Sequence, residues 1–267
     1  MKQKLGIYMV ATNQYVDLWS NVARQLNELA KNNNEIVVTI LLATDDYNRV
    51  RTIATSLPFL KFRITRIPSY GWPEATLFRY NIIVKTGRFF EFDLCMYLDS
   101  DMYIHGDFIK KIFSDIKTFE IALVQHPGFS IVKSAKGLFS AITDWKIVKA
   151  AILNLPRAPW HLGTWETRAE SKASVDIKRR KRYVHGAVWF GRPAAFQFMC
   201  NLLSLNVERD IRREIIAIWH DESHLNWYAA HYQVGILNSE YSWVKGYRNL
   251  KTVAPLISTV DKDGFFR

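Results

Sequence analysis

Apolar and polar positions alternate in two registers along the first hundred residues. Leu5 to Val10 and Glu35 to Ala43 are short runs of aliphatic and β-branched residues, as expected of buried strands. Between them Tyr15, Leu18, Trp19, Val22, Leu26 and Leu29 recur at helical spacing, which gathers one apolar stripe on a helix. The opening therefore predicts a β-α-β unit. The alternation continues with a helix over Asp46 to Ser56, a strand over Lys61 to Ile67, a helix over Thr76 to Lys85 and an apolar strand over Leu94 to Leu98. Such a succession predicts an α/β domain whose central sheet is mixed but mostly parallel and flanked by helices, with its ligand crevice beyond the carboxyl ends of the strands.

The pattern breaks between Lys133 and Arg182, where Pro156, Pro159 and Gly163 interrupt the apolar stretches and a charge run, Lys178 to Arg182, closes the segment. This predicts an irregular insertion over 133–182. Val184 to Gly191 resumes as a strand, and Phe196, Cys200 and Leu203 follow at helical spacing. Repeats, low-complexity tracts and glycine-rich phosphate loops of the GxGxxG or Walker kind are absent from the sequence.

Composition narrows the class. In 267 residues, 49% are apolar and 14% aromatic, enough for one large core and too much for wholesale disorder. Lys and Arg outnumber Asp and Glu by 36 to 25, a net charge of +11, which attracts nucleic acid, an acidic lipid surface or a phosphorylated small molecule without choosing among them. Cys95 and Cys200 stand in apolar surroundings, as buried thiols in a reducing compartment do. No apolar run approaches the length of a membrane span and the start does not read as a secretory signal. The expectation is a soluble, unexported protein.

Five groups of residues carry candidate chemistry. In YLDSDMY, Asp99 and Asp101 follow the apolar strand directly; two carboxylates at i and i+2 where a chain turns can share one hard divalent cation and leave positions for diphosphate oxygens. A solvated acidic turn is the plain alternative. WHDESHLNWY, Trp219 to Tyr228, packs histidines, carboxylates and aromatics into ten residues. Asp221 is placed to cap a helix, and His220 and His224 stand at i and i+4; a zinc pair of the HExxH kind is disfavoured because Glu222 is at the wrong offset. A dense polar cluster in an aromatic frame marks a pocket more often than a core. In QHPGF, His126 ends a strand and is placed to orient a sugar hydroxyl or simply to serve the structure. In YVHGAVWFG, His185, Gly186 and Ala187 put small residues in a strand, which points to close approach by a ligand or another backbone. Trp72, Arg79 and Tyr80 flank the loop from Pro68 to Pro73; a solvated helix face is the default for Arg79. The Lys178 to Arg182 run has no interleaved aromatics and matches no nucleic-acid motif, so it reads as a solvated loop or as a membrane- or acceptor-facing patch.

In chain order, YLDSDMY, HPGF, GTWETRAES, YVHGAVWFG, WHDESHLNWY and SEYSW resemble glycosyltransferase family 6, the retaining α-1,3-galactosyl- and N-acetylgalactosaminyltransferases that include the histo-blood group A and B enzymes. The likeness runs from about Tyr8 to the C-terminus, and WHDESHLN is its most specific element. It implies a single GT-A domain over 1–267, a Rossmann-related nucleotide-sugar-binding sheet, with 133–182 as an acceptor-side insertion and about 250–267 as a mobile tail.

The resemblance also implies roles. Asp99 and Asp101, with Ser100 between them, match the DxD motif that holds Mn²⁺ (or Mg²⁺) against the diphosphate of a UDP-sugar. Many bacterial relatives carry asparagines there and work without metal; both acids are kept here, so metal dependence is expected. Tyr15 matches a tyrosine near the uracil, and Trp72 and Arg79 fall where the family has a mobile loop and a donor-binding arginine. Asp221 matches the aspartate on the donor galactose and Glu222 the catalytic glutamate beside its anomeric carbon, which also borders the acceptor. His185, Gly186 and Ala187 lie on the donor side, with alanine at position 187 leaning towards galactose over N-acetylgalactosamine. His126, Thr164 and Trp165 fall on the acceptor side, and Lys262 and Arg267 match, at altered spacing, tail cations that close over the diphosphate.

The activity so implied is transfer of galactose or N-acetylgalactosamine from UDP to the 3-hydroxyl of a β-galactoside oligosaccharide or glycolipid, forming an α-1,3 linkage with retention of the α configuration. Animal members carry an N-terminal anchor and stem, which this sequence lacks, so a cytoplasmic bacterial- or phage-type enzyme is expected, with peripheral contact at the inner face of the membrane left open and no nucleic-acid partner. The rival readings are a basic polyanion- or glycan-binding protein and a UDP-sugar hydrolase.

Overall fold

The computed structural model describes residues 2–129, 163–244 and 254–261. Its frame is a seven-stranded sheet in the order β3-β2-β1-β4-β7-β6-β8. The strands are β1 (Gln3–Ala11), β2 (Ile36–Thr44), β3 (Lys61–Arg66), β4 (Leu94–Leu98), β6 (Ile121–Gln125), β7 (Val184–Gly191) and β8 (Gly235–Leu237). Neighbours are parallel throughout except at β7, which runs antiparallel to both β4 and β6. The mixed, mostly parallel α/β sheet read from the alternation is the observed one.

Each face of the sheet is covered because its strands carry apolar side chains on both sides. Leu5, Ile7 and Met9 of β1 pack with Trp19, Val22 and Leu26 of α1 (Tyr15–Lys31) in one core layer. Tyr8 and Val10 of the same strand turn to the other layer, with Tyr80, Trp189 and Phe196. Burying such a run on both faces is what a strand inside a parallel sheet requires. The remaining helices are α2 (Tyr47–Thr55), α3 (Glu74–Leu77), α4 (Arg79–Thr86), α5 (Ile109–Asp115), α6 (Pro193–Ile211) and α7 (His220–His231). Asp46 caps α2 by accepting the Arg49 N–H, so this helix falls where the sequence puts it.

Two local outcomes differ from the sequence reading. The helix expected over 76–85 breaks at Phe78 into α3 and α4. That break carries Arg79 inward: the residue is only 5% exposed, so the solvated-face reading of Arg79 is wrong. Asp221 does not cap α7; Trp219 occupies the cap position and no side chain bonds there, because the Asp221 carboxylate is drawn to Arg79.

A two-stranded sheet lies beside the end of β4. It pairs β5 (Met102–Ile104) antiparallel with β9 (Ile257–Thr259), and the Val260 N–H donates to the Asp101 carbonyl at 3.0 Å. Within the region expected as a tail, 257–259 is thus a strand; Lys262 and Arg267 lie outside the described residues. So does 133–162 of the expected insertion, whose described part, 163–182, is turns and one short 3₁₀ segment.

Cys95 and Cys200 are free and buried. Among the described residues no helix is long and apolar enough to cross a membrane.

Candidate active site

The sheet order reverses at β1, which stands between β2 and β4, and a ligand crevice opens outside the carboxyl ends of strands at such a point. A cavity of about 680 Å³ lies there, lined by Thr12, Tyr15 and neighbours after β1, by Trp72, Thr76 and Arg79 on the α3–α4 side, and by Asp99, Ser100 and Asp101 after β4. Tyr15, Trp72, Arg79, Asp99, Ser100 and Asp101, expected on the donor side, therefore meet at one cavity although 86 positions separate the first from the last. Thr12 Oγ1 and Asn13 Nδ2 both donate to the Tyr70 carbonyl, at 2.9 and 3.1 Å, which holds the Trp72 loop over the cavity. Trp72 itself is 77% exposed and meets the His220 ring edge-on at 5.0 Å between centroids.

Arg79 ties the two most polar motifs together. Its Nη2 lies 3.2 Å from Asp99 Oδ1, and its Nη1 lies 3.0 Å from Asp221 Oδ2 and donates to the Gly186 carbonyl at 2.8 Å. Its guanidinium sits 4.7 Å above the Tyr97 ring, whose hydroxyl donates to Asp99 Oδ1 at 2.7 Å. Burial works against the charge on Arg79, but Asp221 and Asp99 hold the guanidinium protonated well above its ordinary range. A buried cation between two acids on different elements is tolerated because all three are paired.

Glu222 is placed by β7. The Gly186 N–H donates to Glu222 Oε2 at 2.8 Å, and one residue on, the Ala187 carbonyl accepts the Asp99 N–H at 2.9 Å. Glu222 and Asp99 are thus fastened to adjacent residues of one strand. Asn226, one turn after Glu222, fixes the register of α7 against β7: its Oδ1 accepts the Val184 N–H and its Nδ2 donates to the carbonyls of Val184 and Glu222. The Tyr80 hydroxyl donates to the Asp221 carbonyl at 3.0 Å.

Burial raises both carboxyls of the Asp-Glu pair. Asp221 is lifted to about 7 by burial and by Asp99, with Arg79 opposing. Glu222 is lifted to about 7 by burial and by Asp221, with the Gly186 N–H opposing. Such displacement in a cleft is what a site that handles charge requires.

His126 and His185 stand beside Glu222. His126 and His185 meet edge-on at 5.0 Å between centroids, and a nitrogen of each lies within 4.8 Å of the other and of a Glu222 oxygen. His185 Nδ1 is 2.6 Å from Ser242 Oγ. His126 Nδ1 accepts the Gly128 N–H at 3.0 Å, so the neutral ring carries its proton on Nε2 and presents a donor there. Burial, and then His185, keeps His126 neutral by lowering its pKa well below the usual histidine value; burial and Arg79 bring His185 down to about 4 despite Asp101. Two neutral rings and a carboxylate are also a chemically reasonable metal set, but the Gly128 bond makes His126 a donor towards an oxygen rather than a ligand in this arrangement.

Thr164 and Trp165 lie a layer away. Trp165 is buried edge-on against Tyr183 at 5.2 Å, and the Thr164 carbonyl is 3.3 Å from the Tyr183 hydroxyl. His220 and His224 do not converge. The first meets Trp72, while His224 is buried with Nε2 3.7 Å from Asp210, so their spacing makes no zinc site.

Tyr97, Asn226 and Ser242 were not singled out from sequence. Tyr97 passes for one more apolar strand residue, and Ser242 stands 57 positions from its partner. Asn226 alone left a trace, one helical turn after Glu222.

Residues 154–262 match the model of glycosyltransferase family 6. Over 210 residues, covering 78% of this chain and 77% of the relative, the sequence is 20% identical to the O-antigen biosynthesis glycosyltransferase WbnI of Escherichia coli. The match spans β7, α7 and the Asp221–Glu222 pair, set on a helix-flanked, mostly parallel sheet. Both comparisons support glycosyl transfer as the chain's activity, and over residues 154–262 it is similar to glycosyltransferase family 6.

Proposed function

We propose that this glycosyltransferase moves galactose, or N-acetylgalactosamine, from UDP to the 3-hydroxyl of a β-galactoside-terminated oligosaccharide or glycolipid, with α-1,3 linkage and retention. The observation that carries the reading is Arg79, which pairs with Asp99 on the cavity wall and with Asp221, the neighbour of Glu222. A nucleotide sugar with its diphosphate at Asp99 and Asp101 would have its sugar directed towards the Asp221–Glu222 pair across Arg79.

Asp99 and Asp101 offer hard carboxylate donors at the cavity wall, a set that suits Mn²⁺ or Mg²⁺ with diphosphate oxygens completing the shell. A cation bound there would neutralise the departing diphosphate. Tyr15 and Trp72 flank the nucleoside, while Asp221 and His185 read the sugar hydroxyls. The small residues Gly186 and Ala187 let the sugar approach β7, and Ala187 supports a preference for galactose. Lys262 and Arg267 are the tail cations of the same reading.

During transfer the anomeric carbon becomes cationic as its bond to the diphosphate breaks. Glu222 stabilises that charge or captures it covalently, and in either case it must be anionic. His126, with a fixed donor, orients an acceptor oxygen, and Thr164 and Trp165 support that side.

The testing experiment screens UDP-galactose, UDP-N-acetylgalactosamine and UDP-glucose with and without a β-galactoside acceptor, with and without EDTA. NMR of the product should show an α-1,3-linked sugar, formed with added Mn²⁺ and abolished by chelator. UDP release that ignores the acceptor would replace transferase by hydrolase, and full activity in EDTA would remove the metal from Asp99 and Asp101.

A further inference from the structure

The connection between α6 and α7, residues 212–219, reads Arg-Arg-Glu-Ile-Ile-Ala-Ile-Trp. Ile216, Ile218 and Trp219 are 48, 51 and 52% exposed, while Ala217 between them is buried. This is not a loose loop. The Ile218 N–H donates to Glu166 Oε2 at 2.9 Å, the Ile216 carbonyl accepts Arg168 Nη2 at 2.6 Å, and the Ile215 N–H donates to the Asp210 carbonyl at 2.9 Å. Glu166 is itself buried and held by the backbone N–H groups of Thr167 and Arg168 and by the Arg168 guanidinium. The backbone is pinned so that large apolar side chains face water, an arrangement that marks an interaction surface more often than a monomer's ordinary exterior.

The surroundings are cationic. Arg209, Arg212 and Arg213 are exposed beside this loop, against Glu208, which pairs with Arg212 at 3.7 Å, and Glu214. Further along the chain from Glu166 and Arg168, which brace the loop, Lys178, Arg179, Lys181 and Arg182 are exposed, with Ile177 outward among them, against Glu170 and Asp176. Arg180 alone of that run turns inward, donating to the Val175 carbonyl. Aliphatic and indole side chains ringed by arginine and lysine match the interfacial layer of a bilayer, where tryptophan settles at headgroup depth and cations meet anionic lipid.

We propose that the 212–219 loop, together with the basic turn at 177–182, docks the protein on an anionic phospholipid bilayer. Trp219 immediately precedes His220, Asp221 and Glu222, and Trp72, the most exposed large apolar side chain among the described residues, abuts His220. Docking would therefore set the mouth of the candidate site at the membrane surface, where a glycolipid acceptor presents its sugar. That benefit rests on the transfer reading; the docking surface itself rests on exposure and charge alone.

The test is co-sedimentation of the full chain with phosphatidylglycerol–phosphatidylcholine vesicles and with pure phosphatidylcholine vesicles, at low and high salt. Binding is expected on the anionic vesicles only and should weaken with salt. Ile216→Ser/Ile218→Ser, which leaves the bracing backbone groups in place, should lower partitioning at least tenfold while transfer to a water-soluble acceptor stays within twofold. Arg212→Gln/Arg213→Gln should weaken binding and flatten its salt dependence, which keeps the proposal open to refutation if the first variant fails to fold. Absence of wild-type binding to anionic vesicles, or unchanged binding by both variants, would overturn it. So would a dimer lost in the isoleucine variant with no vesicle binding, which would assign the face to a second copy of the chain.

Discussion

The backbone N–H of Gly186 donates to Oε2 of Glu222 at 2.8 Å, so the sheet and the first turn of α7 share one carboxylate. A Cβ at position 186 would lie 3.2 Å from Glu222 Cβ and 3.4 Å from both Asp221 Oδ2 and Glu222 Oε2. The backbone there does not require glycine; the space does. Gly186→Ala should therefore fold normally yet shift Glu222 by a few tenths of an ångström, lowering kcat about tenfold or more, since small misplacements at a reacting centre are expensive. Thermal melts and kcat on the same preparation check this, and an unchanged kcat would show that Glu222 tolerates the crowding.

Arg79 bridges Asp99 and Asp221 in a buried setting. Arg79→Met leaves the buried Asp221 and the partly exposed Asp99 without their cation, and breaking a buried pair costs about 3–5 kcal/mol. Urea unfolding at pH 7 should show that loss, and adding Asp221→Asn should restore part of it. A loss below about 1 kcal/mol would mean that the acids relax into water.

Asp221 and Glu222 both have folded-state pKa values near 7, against roughly 4 for unfolded carboxyls. The folded chain therefore keeps protons that the unfolded chain releases, and stability falls as pH rises through the window from about 4 to 7. Activity should run the other way, because Glu222 must be anionic: kcat/KM should climb with a midpoint near 7 that belongs to the pair. Denaturation at pH 5.5 and 7.5 should show a smaller drop for Glu222→Gln than for the parent. Equal pH slopes would contradict the assignment. Glu166, pulled down to about 2 by Arg168 and by backbone N–H groups despite burial, has the opposite sense: its contribution is present above about pH 4 and lost in acid.

Trp72 is mostly solvated, lines the cavity and meets the His220 ring. Trp72→Ala should leave stability within about 0.5 kcal/mol while raising the donor KM several-fold, because a flank of the nucleotide cavity is removed. Isothermal titration with UDP checks the same point, and unaltered affinity would take Trp72 out of the donor site.

Most of the sheet was legible because strands buried on both faces and a helix with one apolar stripe leave unmistakable periods, as β1, α1 and β2 do. The convergence of Asp99 with Asp221 was not. Nothing in the local spacing says that Phe78 interrupts a helix and turns Arg79 inward, since a lone arginine on a periodic segment looks solvated until its two partners, 20 and 142 positions away, are brought to it. Gly186 did announce itself, because a small residue within a strand signals close approach. Glu166 and Asp210 are buried acids that the sequence does not single out, because their burial depends on N–H groups supplied by segments far off in sequence.

The central claim is that Glu222 stabilises positive charge at the anomeric carbon while the diphosphate departs. Steady-state kinetics of Glu222→Gln with UDP-galactose and a soluble β-galactoside tests it most directly. The variant should lose about 10²–10³-fold in kcat with donor KM nearly unchanged, as expected for an interaction strongest in the transition state. A kcat equal to the parent's would contradict the account.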